Sequence, residues 1–266
     1  MRLRAAIFDW AGTLVDFGSR APIAALESVF AGAGVPIAVA EARQSMGVAK
    51  KDHIRSILSI ARVRQAWAAR YGSEADEFAV ERLYAEFVPS QTRVLEKHAG
   101  LIPGVAEAIG RFRSRGLKIG STTGYNRAML DFLLERAASQ GLVPDSALCP
   151  DDVPAGRPFP WMCYLTAIRL NVFPLWACVK IGDTPADIEE GRNAGMWTIG
   201  VTRTGNEIGL SEEEWERLDS VGQQETLERA ELRLNQAGAH YTAQSVAECD
   251  PILDRIDARL AVGERP

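Results

Sequence analysis

The chain has 266 residues, 47% of them hydrophobic, and a formal net charge of −5. That length suits a core domain carrying an insertion, with apolar content sufficient for a sizeable interior. The charge gives no broad attraction to nucleic acid or anionic lipid. No segment reaches the apolar length of a membrane span, and the N-terminus lacks a signal-peptide pattern, so a cytoplasmic protein with neither nucleic-acid nor membrane partners is expected.

In chain order, the apolar run Ala5-Ala6-Ile7-Phe8 reads as a buried strand delivering Asp9 to a sheet edge. Helical spacing follows over Ala21–Ala33, Val39–Met46, Lys50–Ile60, Val63–Tyr71 and Asp76–His98, punctuated by Gly47, Gly72 and Pro89. No alternating strand pattern interrupts this block. Strand and helix then alternate: a helix over Val105–Arg115, a strand from Leu117, and a helix over Asn126–Gln140. Pro150–Pro160 is loop, and a helix over Trp161–Leu170 leads to a strand from Ala177. An acidic turn at Asp183 opens a helix ending at Gly195, before a strand over Met196–Thr202. The tail holds a helix over Glu225–Ala237, a short strand at His240–Thr242 and a helix over Ala243–Leu260. Such alternation implies right-handed crossovers and an α/β doubly wound parallel sheet. The expected division is a core of residues 1–16 and 99–266, with an all-helical cap over 17–98.

Four segments carry chemistry. Phe8-Asp9-Trp10-Ala11-Gly12-Thr13 ends a strand on a carboxylate. Ile119-Gly120-Ser121-Thr122-Thr123-Gly124 ends one in a hydroxyl-rich turn. Gly156-Arg157-Pro158 supplies a cation, and Gly182-Asp183-Thr184-Pro185-Ala186-Asp187 an acidic turn. Together they offer a nucleophile, groups to hold phosphoryl oxygens, and acids to hold a divalent cation. Cations are biased too: of 30 basic residues only Lys50, Lys51, Lys97, Lys118 and Lys180 are lysines. Arg cannot serve as an amine nucleophile near neutrality, whereas Lys can. The four cysteines, Cys149, Cys163, Cys178 and Cys249, form no CxxC pair and are expected to be buried thiols.

The four segments, in this order, resemble the haloacid dehalogenase superfamily. That resemblance implies a nucleophilic first Asp and, two residues on, an acid that protonates an oxygen leaving group. Here the second position is Ala11, which transfers no proton. A carbon–phosphorus bond needs no such acid if a lysine first converts a β-aldehyde to an iminium, because carbon then departs as a neutral enamine. Met46-Gly47-Val48-Ala49-Lys50-Lys51-Asp52-His53, Ile119-Gly120-Ser121-Thr122-Thr123-Gly124-Tyr125, Asp152-Val153-Pro154-Ala155-Gly156-Arg157-Pro158 and Asn193-Ala194-Gly195-Met196-Trp197-Thr198 extend the likeness. The chain resembles the phosphonoacetaldehyde hydrolase family over nearly its full length.

The resemblance implies Mg²⁺-dependent hydrolysis of phosphonoacetaldehyde to acetaldehyde and phosphate. It implies Asp9 as nucleophile and Lys50 as the Schiff-base lysine. Asp9, the Ala11 carbonyl and Asp183 would hold the metal, with Asp187 supporting the acidic turn. Thr123 and Arg157 would hold phosphoryl oxygens, Met46 would line the aldehyde pocket, and a homodimer would form through the cap. His53, three residues from Lys50 on one helical face, is expected to shuttle protons, its ordinary pKa range suiting that task. Lys51 should point away from the site, although its charge is a candidate for lowering the Lys50 pKa. One departure is Leu14, where the family pattern favours a small or β-branched residue. The alternative reading is a phosphatase or phosphomutase acting on a small phosphate ester, which would need an acid at position 11. A catalytically silent ligand-binding fold is a further alternative.

Overall fold

A computed structural model describes residues 2–266. Strand β1 (Ala5–Phe8) is buried along its whole length, as expected of a parallel strand covered on both faces. It pairs with β2 (Lys118–Thr122) on one side and β4 (Cys178–Gly182) on the other. Beyond these lie β3 (Ser146–Leu148), β5 (Trp197–Val201) and β6 (Tyr241–Ala243), giving the all-parallel order β3-β2-β1-β4-β5-β6. The chain moves outward from β1 to β3, then returns to build β4 on the opposite side. Between β1 and β4 the strand order therefore reverses, and the crevice beyond their carboxyl ends is where open α/β sheets bind ligands.

Five helices precede the second strand's own helix: α1 (Ala21–Gly32), α2 (Val39–Arg43), α3 (Lys50–Ser59), α4 (Ala61–Tyr71) and α5 (Glu77–His98). The long α5 packs against α1 and α3, through buried residues such as Leu83 and Phe87. The segment enters and leaves side by side. Val15 bridges Leu101 antiparallel, and the Ile102 N–H donates to the Leu14 carbonyl at 2.9 Å. Leu14 is buried at this crossing, so the departure from the family pattern lies in packing.

The remaining helices are α6 (Val105–Ser114), α7 (Arg127–Ala138), α8 (Trp161–Leu170), α9 (Pro185–Asn193), α10 (Glu212–Glu216), α11 (Ser220–Gln236) and α12 (Asp250–Ala261). Four details differ from the sequence expectation. Pro89 does not interrupt α5, which runs through it with Phe87, Ser90 and Gln91 buried on either side. The strand β3 has only three residues, too few for a periodic signal. The short helix α10 is marked by its Ser211 cap and acidic first turn rather than by apolar spacing. Finally, α12 starts at Asp250 rather than Ala243, because Ala243 still belongs to β6 and Pro251 sits in the helix's first turn.

All four cysteines are free and buried. Among the described residues, no helix is long and apolar enough to cross a membrane.

Candidate active site

Beyond β1 the chain turns sharply. The Trp10 carbonyl accepts the N–H groups of Thr13, Leu14 and Val15 at 2.8 to 3.2 Å. Gly12 permits the turn with φ of +81°, and a Cβ there would lie 2.1 Å from Asp183 Oδ2. The turn thus runs directly against the acidic end of β4. Asp9 is fixed by its N–H to the Ile181 carbonyl at 2.9 Å and is 5% exposed.

Asp9, Ala11, Met46, Lys50, Thr123, Arg157 and Asp183 line one pocket, together with Tyr125 and Thr184. The expected nucleophile, Schiff-base lysine, phosphoryl clamp and metal ligands therefore border one space; His53 and the supporting Asp187 do not line it. The loop before α3 brings Lys50 there, with Gly124 leaving room for the Val48 carbonyl.

The Lys50 ammonium lies 4.0 Å from Met46 Sδ and 5.1 Å from the centre of the Tyr125 ring. Neither neighbour is a carboxylate. Burial pulls its pKa down to about 8, with Asp9 opposing and Arg157 assisting that fall. Lys51, in contrast, pairs with Glu81 at 2.5 Å on the outer surface and lies over the Tyr84 ring. It points away as expected, and the leading causes that lower the Lys50 pKa are burial and then Arg157.

His53 does not line that pocket. It is fully buried, and its Nε2 donates to the Ala42 carbonyl at 2.7 Å. Burial, reinforced by the Lys50 charge, pulls its pKa to about 3. Burial therefore favours the neutral ring, with Nδ1 an unpartnered acceptor.

Arg157 also differs from a simple phosphoryl clamp. It is buried within an ionic network, with Asp9 at 2.8 Å, Asp187 at 2.9 Å and Glu190 at 3.0 Å. It further donates to the Thr122 and Gly47 carbonyls and to Thr122 Oγ1. Lys180 adds a second buried cation, 2.8 Å from Asp187 and 3.4 Å from Glu190. Thr123 Oγ1 accepts the Tyr125 N–H at 3.1 Å, which leaves its own proton for a ligand in the pocket.

Asp9, Asp183 and Asp187 bring carboxylate oxygens within 4.8 Å of one another. They are not equivalent. Burial works against the Asp187 charge, yet Arg157 and Lys180 outweigh it and hold that carboxyl below its usual range. Asp183 has only the Asn206 N–H, at 2.8 Å, and burial next to Asp9 and Asp187 drives its pKa well upward. Asp9 is pushed up to about 6 by burial and Asp187, with Arg157 opposing. Four buried carboxylates, with Glu190, thus face the two cations Arg157 and Lys180. Asp9 and Asp183, the two carboxyls whose charge burial most disfavours, fit a divalent cation that would stabilise their ionised forms.

Residues 3–195 match the haloacid dehalogenase-like hydrolase family. The phosphonoacetaldehyde hydrolase of Hahella chejuensis is 47% identical over 264 residues, 99% of this chain and 90% of that protein. That of Nitratidesulfovibrio vulgaris is 46% identical, over 99% of this chain and 94% of its own length. The chain belongs to the phosphonoacetaldehyde hydrolase family. A crystal structure of a phosphonoacetaldehyde hydrolase-like protein from Oleispira antarctica superposes with a TM-score of 0.98 at 42% identity, covering 100% of this chain and 96% of that one. A hydrolase from Pseudomonas syringae, at TM-score 0.71 and 19% identity, shares the fold alone.

Within this phosphonoacetaldehyde hydrolase-family site, Glu190 and Asn206 escape the sequence reading, while Thr122, Tyr125 and Lys180 lie in its motifs without an assigned role. Two had a usable signal. Lys180 interrupts an otherwise apolar strand in a chain that uses few lysines, and Glu190 lies three residues from Asp187 on one face of α9.

Proposed function

We propose that this chain hydrolyses the carbon–phosphorus bond of phosphonoacetaldehyde, giving acetaldehyde and phosphate. The observation that carries the reading is a buried amine of lowered pKa sharing a small pocket with Asp9, where Ala11 stands two residues beyond the nucleophile. Such a pocket suits a leaving group that departs as neutral carbon and needs no acid.

The Lys50 amine adds to the aldehyde carbon and, with loss of water, forms a protonated imine. A carboxylate oxygen of Asp9 then bonds to phosphorus as the phosphorus–carbon bond breaks. The released pair forms the enamine double bond and neutralises the iminium nitrogen. Protonation of the enamine carbon and addition of water return acetaldehyde and free Lys50. Water cleaves the aspartyl-phosphate to release phosphate. Thr123 donates to a phosphoryl oxygen, and Arg157 faces the same group once phosphorus displaces its contact with Asp9. His53 contributes only as a neutral acceptor through Nδ1. Mg²⁺, held by Asp9, the Ala11 carbonyl and Asp183, would neutralise charge on the phosphoryl oxygens. The helices of residues 17–98 act as a cap that brings Lys50 over Asp9 and excludes water.

The test is acetaldehyde production from phosphonoacetaldehyde with Mg²⁺, followed through coupled alcohol dehydrogenase, for wild type, Lys50→Arg and Asp9→Asn. Both variants are expected to lose at least about 10³-fold in turnover, the scale of removing a covalent catalyst. Borohydride should trap substrate-derived mass on Lys50 in wild type. Hydrolysis of simple phosphate esters without phosphonoacetaldehyde turnover would transfer the chain to the phosphatase reading.

A further inference from the structure

Arg43, the last residue of α2, is a half-buried cation held by oxygen dipoles rather than by a carboxylate. Its Nη1 donates to the Gly18 carbonyl at 3.1 Å, the Asn206 carbonyl at 3.2 Å and Asn206 Oδ1 at 2.9 Å. Its Nη2 donates to the Gly209 carbonyl at 3.0 Å. Asn206 and Gly209 belong to the loop after β5, far along the chain from α2. That loop is itself tied to the site. Thr204 Oγ1 donates to the Gly12 carbonyl at 2.8 Å, the Thr204 carbonyl accepts the Gly18 N–H at 2.7 Å, and the Asn206 N–H holds Asp183. The approach is close: at Gly209, with φ of +69°, a Cβ would lie 2.4 Å from the Arg43 guanidinium carbon.

Elsewhere the helical segment meets the loops around the site through single polar contacts. Asn126 donates to Tyr84 Oη at 3.1 Å, and Arg157 to the Gly47 carbonyl at 3.2 Å. Among the described residues of that segment, Arg43 alone gathers several bonds at one point. Its acceptors are neutral, so release breaks no direct ion pair, and the guanidinium returns to water; the nearby charges of Asp183 and Asp16 favour the closed clasp. This is the chemistry of a reversible clasp.

We propose that Arg43 is a positioning residue for the reaction: it clasps the helical segment onto the Thr202–Gly209 loop and so holds Lys50 over Asp9. The proposal rests on reading residues 17–98 as a cap that opens and closes. Losing the clasp shifts the population toward the open form. Lys50 becomes reachable, and substrate binding must then drive closure, which raises KM more than it lowers kcat.

The experiment labels wild type, Arg43→Met and Asn206→Ala with trinitrobenzenesulfonate at pH 8.5 without substrate or metal, and reads Lys50 and Lys51 separately by peptide mass spectrometry. Asn206→Ala removes one acceptor from the opposite side and keeps the main-chain N–H to Asp183. Lys50 labelling should accelerate about tenfold in Arg43→Met and about threefold in Asn206→Ala, with Lys51 unchanged and the unfolding midpoint within about 3 °C of wild type; a tenfold change corresponds to about 1.4 kcal/mol in the opening equilibrium. KM for phosphonoacetaldehyde should rise by a similar factor, with kcat held within about threefold. Unchanged Lys50 labelling in both folded variants overturns the clasp. Because labelling needs no substrate, it judges Arg43 even if phosphonoacetaldehyde proves not to be turned over.

Discussion

An amine attacks an aldehyde only in its unprotonated form, and the surroundings of Lys50 favour that form. An ordinary lysine, with a pKa near 10.4, has only about four amines in ten thousand free at pH 7; at a pKa of about 8 the fraction is about one in ten. The sign follows from burial, which penalises the ammonium, so the charge is lost as pH rises through about 8. In the metal-free protein, the initial rate of Lys50 labelling by a neutral amine reagent should therefore rise with a midpoint near pH 8 and level off above about pH 9. A midpoint above about 10, as for exposed lysines, would mean that the pocket does not depress this amine. Much of this residue-level chemistry is legible in the sequence. Asp9 ends an apolar strand, Ala11 stands where the family resemblance expects an acid, and Lys50 is one of few lysines. What the sequence hides is surroundings. The spacing that puts His53 beside Lys50 says nothing of the Ala42 carbonyl that fixes its ring, nor of the burial that keeps it neutral.

At the scale of elements, α5 is the spine of the helical segment, and it tolerates a proline in mid-course. Pro89 has no N–H to offer the Ala85 carbonyl, and its ring crowds the preceding turn; tertiary packing by Leu83, Phe87 and Leu95 overrides that cost. Because Pro89 is exposed, Pro89→Ala should restore a helical hydrogen bond without opening a cavity. The expected gain is about 1–3 kcal/mol, read as a higher urea midpoint with an unchanged slope. A lower midpoint would show that α5 depends on the proline's geometry. The same competition explains which elements the sequence conceals. Pro89 is a strong local breaker outweighed by distant contacts, while β3 is three residues defined only by pairing with β2. Amphipathic stretches such as α3 and α6, and the apolar strands β1 and β5, carry their own pattern and need no partner to be seen.

Across the whole molecule, the sheet's reversal between β1 and β4 gathers charges from regions far apart in sequence: Asp9, Arg157, Lys180, Asp187 and Glu190. The order of strand and helix foretells the crevice, but not that Arg157 would bind three carboxylates in it. Such a network is costly to desolvate, so its members should behave as a unit rather than as separate stabilising pairs. Lys180→Met leaves Asp187 and Glu190 buried with only Arg157 against them and should cost about 3–5 kcal/mol. Glu190→Gln frees both cations of one acceptor charge and should cost a similar amount. Made together, the two substitutions remove one charge of each sign. Urea unfolding of the metal-free double variant should then show a loss smaller than the sum of the single losses, by more than about 1 kcal/mol. If the losses instead add to within about 0.5 kcal/mol, Lys180 and Glu190 act independently, and the centre of the sheet is held by packing around them rather than by their mutual charge.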